Sequence, residues 1–303
     1  MTIGRLLIVF VLVAALIPDA AEAQSDLIAR AKRLDAEGQQ EPAIALYRQA
    51  LAKTAASFDA HYGLARALDL HGDYGEARDH FTKAIELAPD DGSRDQATRM
   101  LGVSWTFVAN ARQATVAFQR VFERRAAAGD FAGAAEVGNE LGRVLLELGD
   151  ADAATRWYRK GYDSALGQPS RTAADTTLAE LRWAHAQARI AIRLGRLPET
   201  RRQVTHFKAL LERGTNRDQQ SQLPYLTGYV AFYAKDYQGA VTALRQADQE
   251  DPFILLLLAQ ASERLGRKAE AHAYYDRVMT SNSHAVNNAF ARPAARRWLA
   301  QSR

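Results

Sequence analysis

One spacing recurs seven times along this chain and dictates most of what it can become. A Gly or Ala is followed seven residues later by a turn residue, twelve later by a small residue, and sixteen later by a bulky one. The leading small residues are Ala31, Ala65, Gly102, Gly142, Ala188, Gly228 and Ala259. The turn position reads Gly38, Gly72, Ala109, Gly149, Gly195, Lys235 and Gly266. Ala43, Ala77, Ala114, Ala154, Thr200, Ala240 and Ala271 follow, then Tyr47, Phe81, Phe118, Tyr158, Val204, Leu244 and Tyr275. Two antiparallel helices joined by a tight turn must approach closely, and a residue with little or no side chain at the crossing permits it. The turn residue must leave the helix with a positive φ, which Gly adopts without steric cost. A bulky side chain four residues after the Ala lies on the same face and fills the gap beside it. Such a hairpin cannot bury its apolar face alone, so successive copies are expected to stack.

These residues strongly resemble the tetratricopeptide repeat, a helix-turn-helix unit with small, aromatic and proline residues at the same places. The resemblance runs over about residues 25–283 and is strongest at 58–91, 221–252 and 252–283. The first and fifth copies follow it less well; in the fifth, Gln187, Thr200 and Val204 depart from the pattern. It implies an all-α, right-handed superhelical solenoid of about seven repeats that works by binding proteins. Successive second-helix small residues lie 34, 37, 40, 46, 40 and 31 residues apart, so the array is irregular. The longest connector, residues 163–175, is expected to separate a four-repeat array (24–162) from a three-repeat array (176–283). A last helix over residues 284–303 is expected to cap the end of the stack.

The segment before the first copy reads as an address. Arg5 precedes the uncharged apolar run Leu6–Ile17, then Pro18 and the small-x-small site Ala21-Glu22-Ala23. Twelve apolar residues are too short for the roughly 30 Å hydrocarbon core, which favours a cleaved signal over residues 1–23 and a mature start at Gln24. The expected location is periplasmic or secreted. Beyond it no stretch is apolar enough to span a membrane; Phe253–Ala259 reads as buried helix. The absence of cysteine excludes disulfides, thiolate metal sites and a cysteine nucleophile. With Lys plus Arg at 39 and Asp plus Glu at 35, the net charge of +4 implies no nucleic-acid partner.

Motifs for nucleotide binding, serine hydrolysis or zinc catalysis do not occur, and the seven His do not pair at metal-ligand spacing. No cofactor and no enzyme activity are expected. Asp90, Asp130 and Asp150 read as helix N-caps. The inner wall of the expected solenoid is more informative. The residue after each leading small residue should face it, as should the residue one turn earlier, three before the small one. This brings Arg66, Arg99, Asn139, Arg143, Arg189, Tyr225 and Tyr229 to the wall. The fifth copy adds a basic ridge of Arg182, His185, Arg189 and Arg193 at helical spacing, and Tyr233 extends the neighbouring aromatic shelf. Arginine forks pair carboxylates while tyrosines supply apolar area, so this wall suits a protein or peptide partner, an acidic one in particular. A solvated surface, tyrosines packed into an inter-repeat seam, and a polyanion or glycan groove are the competing readings. The family's best-known peptide clamp is echoed only in part, by Asn139 and Arg143. Arg292, Arg296, Arg297 and Arg303 read as cations gathered at a helix C-terminus, or as a contact with anionic lipid or an acidic partner. Two functions therefore stand: an exported non-enzymatic scaffold binding a partner in its groove, or a structural subunit of a cell-envelope machine for polysaccharide secretion or outer-membrane assembly, binding through its convex face or ends.

Overall fold

The computed structural model describes residues 20–302; Arg303 and residues 1–19, most of the expected signal segment, lie outside the described residues. Among the described residues there are fifteen α-helices, one 3-10 turn (Arg217–Ser221) and no strand. They pair as hairpins in chain order: α1 (Ala20–Ala36) with α2 (Gln40–Lys53), α3 (Phe58–His71) with α4 (Tyr74–Leu87), α5 (Asp91–Phe107) with α6 (Ala111–Ala127) and α7 (Phe131–Glu147) with α8 (Ala151–Gly167). The second half continues with α9 (Ala173–Arg193) and α10 (Leu197–Glu212), α11 (Gln222–Tyr233) and α12 (Tyr237–Leu244), α13 (Pro252–Arg264) and α14 (Lys268–Met279). Each hairpin packs on the next, so the molecule is an all-α tetratricopeptide-type solenoid of seven repeats, followed by α15 (Val286–Gln301).

The recurring spacing does the work expected of it. All seven turn positions have positive φ, including Ala109 (56°) and Lys235 (65°), which among the described residues are the two non-glycines in that region. Tertiary packing has imposed the turn on residues that resist it. The small residues sit at the crossings. A Cβ on Gly142 would stand 2.7 Å from the Tyr158 ring, and one on Gly102 2.8 Å from Phe118, each the bulky residue of the same copy. Asp90, Asp130 and Asp150 accept hydrogen bonds from the amides of Ser93, Gly133 and Ala153 (2.7–2.9 Å), which caps α5, α7 and α8. Residues 253–259 are buried throughout in α13. Among the described residues no helix is long and apolar enough to cross a membrane.

Two features differ from expectation. The irregular part of the long connector is only residues 168–172, because α8 runs on to Gly167 and α9 starts early behind a Thr172–Asp175 capping box. Across it, Tyr162 of α8 stacks on Trp183 of α9. The second difference is larger. Helix α15 does not simply cap the stack; it packs on α13 and α14 and also reaches back to α5. His284 binds Asp69 at 2.7 Å with both side chains fully buried, and Ser104 donates to the other Asp69 oxygen at 2.9 Å. The rings of Phe81 and Phe107 flank the imidazole. Arg292 donates to the carbonyl of Leu70 (2.7 Å), and Arg296 to those of Leu70 and His71 (3.1 and 2.6 Å). Of the C-terminal cations, Arg292 and Arg296 do serve a helix C-terminus, but it is that of α3 rather than their own. Asn282 donates to the carbonyl of Ala36. The segment 281–301 is thus a strap that joins the last repeat to the first three.

Candidate functional site

The first helices α7, α9 and α11 bring their inner faces together, and they do so tightly enough for repeats 4 and 6 to touch across repeat 5. Arg143 of α7 donates to the phenol oxygen of Tyr225 on α11 (3.3 Å), and Tyr229 of α11 donates to Glu147 of α7 (2.9 Å). In front of these contacts lies a chamber of about 450 Å³. Of the sequence-predicted residues, Arg99, Asn139, Arg143, Arg182, His185, Arg189 and Tyr225 line it. Arg193, Tyr229 and Tyr233 stand behind it around Glu147. Arg66 is elsewhere, half-buried over the Tyr62 ring.

Exposure is where expectation and structure part. Arg189, Tyr225 and Tyr229 are buried, with 5% or less of each exposed, rather than displayed on an open groove. The tyrosines pack at the seam between repeats, and the arginine threads between them. Arg189 donates to the Tyr158 hydroxyl at 2.6 Å, and Arg193 binds Glu147 at 2.9 Å while reaching Tyr229 and Tyr233 at 3.3 Å. Arg182 stays exposed at the rim.

The chamber is cationic and its donors are not all used. Four guanidinium groups line it against two carboxylates, Glu136 and Glu140. Arg99 is matched, binding Glu140 at 2.5 Å. Arg143 ion-pairs with no carboxylate among the described residues; its charge rests over the Phe253 ring at 4.8 Å, and its Nε has no partner. Nε and Nη1 of Arg189 are also unpartnered, and Nη1 stands 4.0 Å from Glu147, too far for a hydrogen bond. Nε2 of His185 is unpartnered too. Burial, with Arg189 and Arg143 adding to it, holds the His185 pKa well below the usual imidazole value, so the ring is neutral at physiological pH. Burial raises the Glu140 carboxyl, an effect that Arg99 opposes. Burial and Glu147 push the Tyr229 phenol well above its ordinary value, so it stays a donor.

Three parts of the site escaped sequence reasoning. Glu147 follows Arg143 by one helical turn on the same helix, a spacing that could have flagged it. Tyr158 was visible as a repeat-filling aromatic but not as an acceptor for Arg189. Ala285, Val286 and Asn287 of the strap close one side of the chamber, and no repeat pattern could have placed them there. Among the described residues no cluster of His, Cys, Asp or Glu could hold a metal ion.

Stacked helical hairpins with small residues at every crossing and left-handed turns define the class: a tetratricopeptide solenoid. The tetratricopeptide repeat family matches residues 58–91 and again 225–285, which coincide with the second copy and with the sixth and seventh together. The chain is a tetratricopeptide-repeat-containing protein. Solved structures of the same fold include a tetratricopeptide repeat protein from Parabacteroides merdae, 12% identical over 86% of this chain and 94% of that one, with a TM-score of 0.53. Aspartyl phosphate phosphatase F from Bacillus subtilis is 9% identical over 89% of this chain and 72% of its own, with a TM-score of 0.61. The apo quorum sensor NprR from B. thuringiensis is 14% identical over 87% and 77%, with a TM-score of 0.51. At these identities the likeness is one of fold. Comparison with curated proteins finds no match.

Proposed function

We propose that this chain is a non-enzymatic scaffold that holds an acidic segment of a protein partner in the chamber formed by repeats 4–6. One observation carries the reading: Arg189, 95% buried by its 5% exposure, keeps two guanidinium nitrogens without partners beside an Arg143 that has no carboxylate of its own. Leaving buried cations uncompensated costs several kcal/mol by order of magnitude, and an incoming carboxylate or similar oxyanion would offset that cost. A rigid stack presents these donors pre-ordered, so the partner bears most of the ordering entropy. The proposed setting is the bacterial envelope, on the sequence of residues 1–23; the intact mass of exported protein, with a start at Gln24, tests that separately.

The test of the chamber is affinity capture from native envelope with the wild type and an Arg143→Gln, Arg182→Gln double variant, both checked by circular dichroism. Partners retained by the wild type are expected to be lost from a folded double variant. Unchanged capture removes the reading. Charge reversal at Arg189 or Arg193 is the wrong probe, because both are built into the Glu147–tyrosine network and their reversal would unfold it.

A further inference from the structure

Beside the cationic chamber lies a second, smaller recess of about 150 Å³ between α7, α8 and α9. It shares Glu136, Asn139 and Arg182 with the chamber, so the two are contiguous compartments of one site. Its walls are more apolar than the chamber's: Ala135, Gly161, Ala165, Leu178, Tyr162 and Trp183 line it, together with Gln168, Asp175 and the three shared polar residues. The origin of the recess is local. Helices α7 and α8 meet through Gly138 and Gly161, where a Cβ on Gly138 would stand 2.9 Å from the Gly161 Cα. Ala135 and Ala165 continue this small-residue face. Tyr162 and Trp183, stacked with ring centroids 5.7 Å apart, make a rigid wall. A dry apolar cavity of about this volume holds a benzene molecule, so the recess is sized for one apolar side chain.

We infer that the site reads a two-part signature: an acidic side chain enters the chamber, and an apolar side chain one or two residues away enters the recess. This rests on the proposed function and names what distinguishes one acidic segment from another. The recess supplies the selectivity that charge alone lacks, since any acidic peptide would be drawn to Arg143, Arg182 and Arg189. Asn139 lines both compartments and stands at their boundary. The strap closes the chamber on the side of Ala285–Asn287. The ligand is therefore a short segment spanning two compartments, not a long peptide laid along the whole array.

The test uses the full chain and fluorescein-labelled peptides with a common Gly-Ser background, read by fluorescence anisotropy at low salt. Three cores are compared: Asp-Asp-Leu, Asp-Asp-Ser and Lys-Lys-Leu. The leucine probe is expected to bind about tenfold more tightly than the serine probe, the scale of burying one apolar side chain. The lysine probe is expected not to bind. Ala165→Leu, which fills the recess, is expected to abolish the preference for leucine over serine. In the wild type, which depends on no variant folding, the leucine probe alone should change tryptophan emission through Trp183. Equal affinity for the leucine and serine probes with rejection of the lysine probe overturns the recess and leaves the chamber standing. Failure to prefer either acidic probe over the lysine probe overturns both.

Discussion

The inner side of repeats 2 and 3 and that of repeats 4 to 6 both gather buried polar side chains, yet the two gatherings end in opposite states. In the first, Asp69, Ser104, His284 and Arg292 form a buried polar cluster in which the acid has two partners and the arginine donates to three carbonyls. In the second, Arg143, His185 and Arg189 keep nitrogens without partners. The first surface has found its ligand in the chain's own C-terminal strap; the second is left waiting for one. The number of polar residues is thus a poor guide to where a solenoid binds. The informative quantity is how many of their hydrogen-bonding valences the fold leaves unmet.

The largest expected effect comes from spoiling the satisfied cluster. His284→Ala leaves the Asp69 carboxylate buried without its main partner and should lower unfolding free energy by about 3–5 kcal/mol in a denaturant titration. A loss below about 1 kcal/mol would erase the contrast between the two surfaces. The matching substitution on the other side, Arg143→Gln, should not lower stability and should raise it by up to a few kcal/mol, since it removes a cation that has no acid to neutralise it. It should nevertheless weaken retention of acidic partners about tenfold or more, as measured by the same peptide anisotropy.

A change of pH gives the next effect, and only the His185 variant assigns it to one region. Because burial depresses the folded-state pKa of His185, the unfolded chain binds more protons below about pH 6.5. Stability from this group is present above that pH and is lost as pH falls, by up to about 1.4 kcal/mol per pH unit for one proton. His61 and His80 are lowered too, again by burial first, and act with the same sign. Glu140 and Asp69, whose carboxyls burial raises, act in the opposite sense at lower pH. Thermal melts from pH 7 to 5.5 should therefore fall, and His185→Gln should flatten the decline. The smallest effect is a matched pair, one turn in each region. Ala109→Gly and Lys235→Gly each relieve a left-handed residue and should each stabilise by about 1 kcal/mol. Unequal gains would mean that the difference between the regions extends into their turns.

The repeats were legible because their determinants are local. A small residue, a turn and a bulky filler at fixed spacing specify one hairpin, and the same spacing located Ala109 and Lys235 as turns even without glycine. The inner-face residues were legible as a set, since helical periodicity selects a face. Their burial was not. Whether Arg143 meets Tyr225, 82 residues on, depends on how sharply three successive repeats curve, and that angle is a sum of small packing choices along the stack. The strap was illegible for the same reason: His284 carries no pattern that names Asp69, and the pairing exists only once the ends of the curve draw near.

That pairing has a cost in time. Some 180 residues separate the Phe81–Phe107 pocket from the imidazole that fills it. At roughly 5–20 residues per second of synthesis, the pocket faces water for about 10–35 s before the last stretch leaves the ribosome. Whatever holds the chain before residue 284 is in place must shield those two rings, since only the last stretch brings their cover.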